Sequence, residues 1–242
     1  MRTLYLVLVA SLVLGACASG EGEVAEAETP VETVVSDRPN HENPAGNPEG
    51  EVPPGWEWRF DRGPNYSVGS EADSVDTFFV TMTPGWHITT APAGIFFHPA
   101  STADGSYTAS TQIHLFPPGN RNEGYGILVG GSDLSGEAQE YLYFLLRRSG
   151  EYLVKLRKGA ETETLIPWTA HESIVAYTED TEGTATNVMA VQVDGETLRF
   201  HVNDVEVATL PKAELPTDGL VGLRFNHAID VHVSELTVTP AA

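Results

Sequence analysis

The sequence predicts an all-β fold, an antiparallel two-sheet jelly-roll sandwich, and three observations carry that prediction. From Trp56 onward, segments of strand composition recur at short intervals. The dipeptides Asp194-Gly195 and Asn203-Asp204 separate alternating runs and favour the positive φ angles of two-residue hairpin turns. No stretch alternates strands with helices as a parallel sheet requires, and only Asp73 to Asp76 suggests a single helical turn.

The predicted strands, in chain order, begin with Phe78–Met82, Gly94–His98, Ser106–Phe116 and Tyr125–Val129. Glu140–Arg147 follows and alternates cleanly. Leu142, Phe144 and Leu146 point to one face, and Tyr141, Tyr143 and Arg147 to the other. Arg148-Ser149-Gly150 closes a hairpin onto Tyr152–Arg157, and Thr164–Pro167 comes next. The last five are Val188–Val193, Leu198–Val202, Val205–Leu210, Leu220–Phe225 and Val231–Val238. Trp56 and Trp58 stand where the β pattern starts and fit an amphipathic entry strand or an edge cover; Trp168, after Pro167 at a strand end, reads as core.

Ahead of the β region lie two segments of different character. Leu4 to Leu14 is an apolar run of eleven residues behind Arg2, too short for a membrane span and suited to a secretory signal. Leu14-Gly15-Ala16-Cys17 at its end resembles the lipobox of bacterial lipoproteins. That resemblance implies cleavage before Cys17, acylation of its thiol and new amino terminus (palmitate among the chains), and anchorage in a lipid bilayer. Ala18, rather than Asp, in the next position implies an outer-membrane or cell-surface address within the envelope. The stretch to Pro54 has a near-regular run of glutamates at 21, 23, 26, 28 and 32, six prolines and no aromatic residue. Such a chain cannot bury enough apolar surface to offset its ordering entropy, so it is expected to be a disordered tether. The expected organisation is a signal peptide over 1–16, lipidated Cys17 and tether over 17–54, and one sandwich over 55–242.

Charge excludes one class of partner. The chain carries a formal net charge of -21. Residues 53–242 hold 25 acidic and 11 basic side chains, a net of -14. Such a surface repels nucleic acid. Cys17 is the sole cysteine, so the β domain has no disulfide and relies on its core.

The stretches Gly124–Gly131 (GYGILVGG), Tyr141–Arg147 (YLYFLLR), Phe200–Val207 (FHVNDVEV), Leu220–Asn226 (LVGLRFN) and Val231–Leu236 (VHVSEL) together resemble bacterial concanavalin A-like lectin/glucanase sandwiches. Laminin-G-like and 3-keto-disaccharide hydrolase-like domains are the most similar in flavour. The resemblance covers about residues 75 to 238 and implies the two-sheet sandwich again. It also implies that Trp86, in Pro84-Gly85-Trp86-His87, packs near a sheet face as core and site residue alike. The family hosts lectins, hydrolases and inert spacers, so it does not select an activity.

Catalytic patterns are weak. The glucanase strand Glu-x-Asp-x-x-Glu is missing, and Glu161 with Glu163 reads as a solvated strand edge. Gly131-Ser132-Asp133 is half of a nucleophile elbow and reads as a polar turn. Gly124, Gly126 and Gly130 miss the dinucleotide spacing and suit close backbone packing. The eight histidines include no pair with zinc-ligand spacing. No cofactor is expected; Asp104, Asp133, Asn203 and Asp204 sit in loops where calcium can bind, although turn formation is their ordinary role.

The outward strand faces offer a binding surface. Tyr141, Tyr143 and Arg147 lie opposite the core side of their strand. Gln112 and His114 do so in theirs, as do Arg199 and His201, and Arg224 and Asn226. Sugars stack on aromatic rings and bond to planar polar groups, so a concave face carrying Trp86, His114, Tyr141, Tyr143, Arg147, Arg224 and Asn226 suits a glycan. The same alternation also describes an ordinary polar outer face. The expectation is non-catalytic binding of carbohydrate or another envelope ligand. The alternatives are a hydrolase acting on an oxidised (3-keto) disaccharide and a structural interaction module.

Overall fold

The computed structural model describes residues 49–181 and 183–241, so the expected signal peptide, Cys17 and most of the tether lie outside the described residues. Fifteen strands are present among them. The first eight are β1 (Glu57–Phe60), β2 (Val68–Gly69), β3 (Thr77–Thr81), β4 (Trp86–Thr90), β5 (Gly94–Ala103), β6 (Tyr107–Leu115), β7 (Gly124–Ser132) and β8 (Glu140–Arg147). The rest are β9 (Glu151–Lys158), β10 (Glu161–Ala170), β11 (Ala185–Asp194), β12 (Thr197–Val202), β13 (Val205–Pro211), β14 (Gly219–Phe225) and β15 (Ile229–Pro240). Two single 3₁₀ turns, Ala72–Ser74 and Glu179–Thr181, complete the elements.

The strands form two sheets. The seven-stranded sheet runs β1-β5-β14-β7-β8-β9-β10, and the eight-stranded sheet runs β13-β12-β11-β6-β15-β4-β3-β2. Every pairing is antiparallel except β2 with β3. This is the predicted two-sheet jelly-roll sandwich. The turn chemistry has its expected effect: Asn203 and Asp204 stand at φ 51° and 66°, and Gly150 at φ 80° closes β8 onto β9. Pro167 is tolerated in β10 because β10 is a sheet edge, where a missing N–H breaks no inner ladder.

The core lies between the sheets. Leu142, Phe144 and Leu146 of β8 face it, as their alternation predicts, and Phe144 meets Phe200 of β12 at 5.2 Å across the sandwich. Trp56 sits edge-on to Phe79 at 5.5 Å and to Trp86 at 4.6 Å, closing one end. The packed domain starts ahead of residue 55: Pro53 is buried and the Glu51 carbonyl accepts the Thr81 N–H at 2.9 Å.

Two strands were not among those predicted, β2 and β4, whereas β1 stands at a sheet edge where Trp56 and Trp58 suggested an entry strand or edge cover. The reason is clearest for β4, whose sequence WHITT lacks a polar outer face because His87, Thr89 and Thr90 are themselves buried. A polar composition buried on both sides leaves no alternation to read.

Candidate functional site

The outer face of the seven-stranded sheet is not a plain solvated surface. Ile95, Phe97, Leu128, Tyr141, Tyr143, Leu145 and Leu153 are buried there and pack together, with Leu134 from the β7–β8 loop and the partly buried Trp168 and Leu220 at the margins. Tyr141 and Tyr143 lie 5.6 Å apart. Both point away from the main core, as their strand alternation requires. At 1% and 6% exposure, however, they form a packed floor and not the open stacking platform expected of them. Lateral contact with the neighbouring apolar side chains covers the rings.

At one side of this floor Arg224 of β14 meets Asp61, just past β1. Two parallel hydrogen bonds of 2.7 and 2.6 Å join the guanidinium to the carboxylate. The guanidinium also stands 5.7 Å from the Tyr143 ring. Burial pushes the Asp61 carboxyl up, but the Arg224 hydrogen bond and charge outweigh it and hold the group below the usual carboxylate range. Burial also pushes the Tyr143 hydroxyl up to about 12, so the ring stays neutral. Arg224 is 6% exposed, and its Nε–H has no acceptor among the described residues. A buried guanidinium with one donor unspent is costly unless a ligand or solvent meets it.

Beside this pair the β7–β8 loop is fastened to the sheet edge. Arg59 of β1 donates through Nη1 to the carbonyls of Ser135, at 2.9 Å, and Gly136. Ser135 donates in turn to Glu57 at 3.2 Å. Asp133, at φ 46°, accepts the Ala138 N–H at 3.0 Å and shapes the loop from within. Gly136 packs against the Asp133 carboxylate, where a Cβ has no room. Between this loop and the segment after β1 lies a cavity of about 490 Å³. Trp58, Arg59, Phe60, Asp61 and Tyr66 line it together with Gly63, Pro64, Ser135 and Glu137. Tyr66 rests edge-on against Phe60 at 5.4 Å. The cavity thus presents aromatic edges, two carboxylates, a guanidinium and a hydroxyl within one concave space.

Arg147 and Asn226 stand on the same outer face, in the row next to Arg224, Asn226 two residues beyond it and Arg147 across Gly124 of β7. Arg147 forms a two-point pair with Glu151, at 2.8 and 2.6 Å, and lies 4.4 Å over the Trp168 ring. The hydrogen bonds from Arg147 and Ser149 lower the Glu151 carboxyl. Asn226 donates its backbone N–H to Gly124 at 2.8 Å.

Five of the seven residues singled out from the sequence therefore share one sheet face: Tyr141, Tyr143, Arg147, Arg224 and Asn226. Trp86 and His114 do not join them, because β4 and β6 belong to the eight-stranded sheet. Trp86 packs inward against Trp56. His114 faces outward from the opposite side of the sandwich, bonded to Thr186 and Ser234 at 2.8 Å each. Burial lowers its pKa. It stands 5.4 Å from His232, whose pKa falls to about 4 through burial and the neighbouring His114 and His87. Gln112, Arg199 and His201 share that second outer face with His114, so the polar sets do not converge on one surface. Among the described residues no group of three His, Cys, Asp or Glu is placed to hold a metal. One carboxylate oxygen of Asp133 and the amide oxygen of Asn203 accept backbone N–H groups.

Sequence reasoning missed Arg59, Asp61, Tyr66, Ser135 and Glu137. The signal that could have found part of the site is the alternation Glu57-Trp58-Arg59-Phe60-Asp61, which places three charged residues on one face of an edge strand. The 133–137 loop carries no comparable signal.

No protein-family model matches the sequence, and no curated protein matches it. Solved structures do match the fold. A carbohydrate-binding module, CBM66 from Bacillus subtilis, aligns with a TM-score of 0.53 at 9% identity, over 75% of this chain and 94% of that one. The exoplasmic/lumenal domain of VIP36, bound to Ca²⁺ and Man3GlcNAc, aligns at 0.53 and 10% identity, over 80% and 89%. A Bacteroides ovatus GH16 protein of a mixed-linkage glucan locus aligns at 0.50 and 8% identity, over 76% and 94%. At these identities the likeness is one of fold alone, a two-sheet antiparallel jelly-roll sandwich.

Proposed function

We propose that the protein is a lipid-anchored lipoprotein of the cell envelope whose sandwich binds carbohydrate without turning it over, in the cavity between β1 and the β7–β8 loop. The observation that carries this reading is the cavity lining. Trp58 and Tyr66 supply apolar ring surface, while Asp61, Glu137, Arg59 and Ser135 supply planar and hydroxyl partners for sugar hydroxyls. Asp61 is held in place by Arg224, so the acceptor is pre-organised and little is lost on binding. The neighbours of like fold support the reading in kind, since one is a carbohydrate-binding module and another was solved with a mannose-containing glycan. Anchorage rests on the lipobox-like Leu14–Cys17 and places the domain on a membrane facing away from the cytoplasm.

A second reading, glycoside hydrolysis, is favoured by one observation: Asp61 and Glu137 both line the cavity. Hydrolysis needs one carboxyl kept protonated by a raised pKa. Asp61 is lowered, so it suits an acceptor or a nucleophile and not an acid. The acid's role in hydrolysis would then fall to Glu137, and release of reducing sugar is the observation that would establish it.

The test is a glycan array probed with the purified protein, followed by titration of each hit against the wild type, Tyr66→Ala and Glu137→Gln. Binding weakened about tenfold or more in both variants, with unchanged melting temperature, supports the reading. Hits indifferent to both substitutions remove the cavity as the site, and release of reducing sugar from a hit replaces binding with hydrolysis.

A further inference from the structure

The cations of this acidic domain are unevenly placed. Of the 11 basic residues between 53 and 242, five stand on the outer face of the seven-stranded sheet: Arg59, Arg147, Lys155, Arg157 and Arg224. In the strands of the eight-stranded sheet Arg199 is the one Lys or Arg, and Asp194 and Glu206 neutralise it at 3.3 and 3.6 Å. On the cationic face, Arg224 and Arg147 have their own carboxylates in Asp61 and Glu151. Arg59 is committed to the loop carbonyls. Lys155 and Arg157 remain, and neither has a carboxylate partner among the described residues.

These two lie side by side on β9, two positions apart on one face. Lys155 is opposite Tyr143 and Arg157 opposite Tyr141. On their other flank β10 places the exposed Thr164 beside Lys155 and the exposed Thr162 beside Arg157. Arg157 is held by its Nε–H, which donates to the Gly159 carbonyl at 2.6 Å, and this leaves the two terminal amino groups for a fork-like contact. Both side chains thus border the tyrosine floor. A half-buried cation pair with no carboxylate bonded to it, bordered by hydroxyls, is complementary to an anion carried on a polyhydroxylated chain.

We infer that the glycan bound by this face is acidic, a run of uronic acid residues whose carboxylates meet Arg157 and Lys155 while the chain extends across the tyrosine floor toward the Asp61 cavity. The inference rests on the carbohydrate reading above. It goes further in naming a charged substrate class, which is notable in a domain whose net charge would otherwise repel it.

The test uses full-length protein in detergent, titrated with polygalacturonate oligosaccharides, the same oligosaccharides as methyl esters, neutral β-glucan oligosaccharides and a sulfated glycan. The expected result is binding of the free acid, at least tenfold weaker binding of the methyl ester, and affinity that falls with added salt. Arg157→Gln and Lys155→Gln should each weaken the free acid about tenfold while leaving the melting temperature unchanged. Equal binding of acid and ester, or of a neutral glycan unaffected by Arg157→Gln, overturns the acidic assignment and leaves the cavity reading standing. Binding confined to the sulfated glycan overturns the carboxylate assignment. Failure of every glycan overturns this inference together with the carbohydrate reading.

Discussion

Arg224 and Asp61, 163 positions apart in the chain, meet through two hydrogen bonds of 2.7 and 2.6 Å at the margin of an apolar sheet face. The pair ties the segment after the edge strand β1 to the central strand β14 and sets one wall of the cavity. Replacing Asp61 by Asn should strand a buried guanidinium and cost about 2 kcal/mol, less than for a fully buried pair because the Asp61 side chain is 28% exposed. The double variant Asp61→Asn with Arg224→Met should be less destabilised than the two single losses added. Urea unfolding of the four proteins measures this coupling, and strict additivity would show that the pair is not energetically linked.

Acid should weaken the same contact. The Asp61 carboxyl lies below its ordinary value in the folded state, so its contribution is present above the unfolded pKa and is lost as pH falls through the folded one. That window lies below about pH 4. In Asp61→Asn this part of the acid sensitivity should disappear, as followed by thermal denaturation between pH 5 and pH 2.

A second acid window belongs to the opposite face. His232 titrates near 4 in the folded protein against an ordinary value of 6.5, so the unfolded chain binds more protons between these values. Stability should therefore fall as pH drops from about 6.5 to about 4, by about 1–2 kcal/mol for a half-buried ring. His232→Gln should flatten the profile in that range. An unchanged slope would show that His232 does not carry it.

Gly136→Ala should damage the site more than the fold. A Cβ at that position runs into the Asp133 carboxylate, which must then give up its bond to the Ala138 N–H. The expected cost is about 1–2 kcal/mol of stability, with glycan affinity reduced at least tenfold because the loop carrying Ser135 and Glu137 shifts. Calorimetric titration alongside a melting curve separates the two effects, and retained affinity would detach the loop from the site.

Cys17→Ser should release the protein from membranes. In a detergent phase-separation assay the wild type should enter the detergent-rich phase and the variant the aqueous phase, since two or three acyl chains hold a protein firmly while none holds this one. Partition of the variant with detergent would point to a different anchor.

Much of this architecture was legible residue by residue. The period-two alternation of Glu140–Arg147 placed Phe144 in the core and Tyr143 outside it, and both positions hold. The turn at Asn203-Asp204 was readable because few residue types accept positive φ. β4 was not readable, since its polar side chains are buried and its pattern imitates a loop. The exposure of Tyr141 and Tyr143 was also out of reach, because the neighbours that cover them come from β5, β7 and the 133–137 loop.

By itself, then, the sequence determined the class of fold, the turns and the side of its own strand on which each residue stands. These follow from backbone geometry, which acts over a few residues. Tertiary structure alone decided which outward faces became one surface. β14 inserts between β5 and β7, and this brings Arg224 to Asp61 and Tyr143; β4 and β6 pair instead with β15, and this carries Trp86 and His114 into the other sheet. Strand pairing over long separations is set by how the apolar faces of all the strands bury one another, and no local pattern records that outcome.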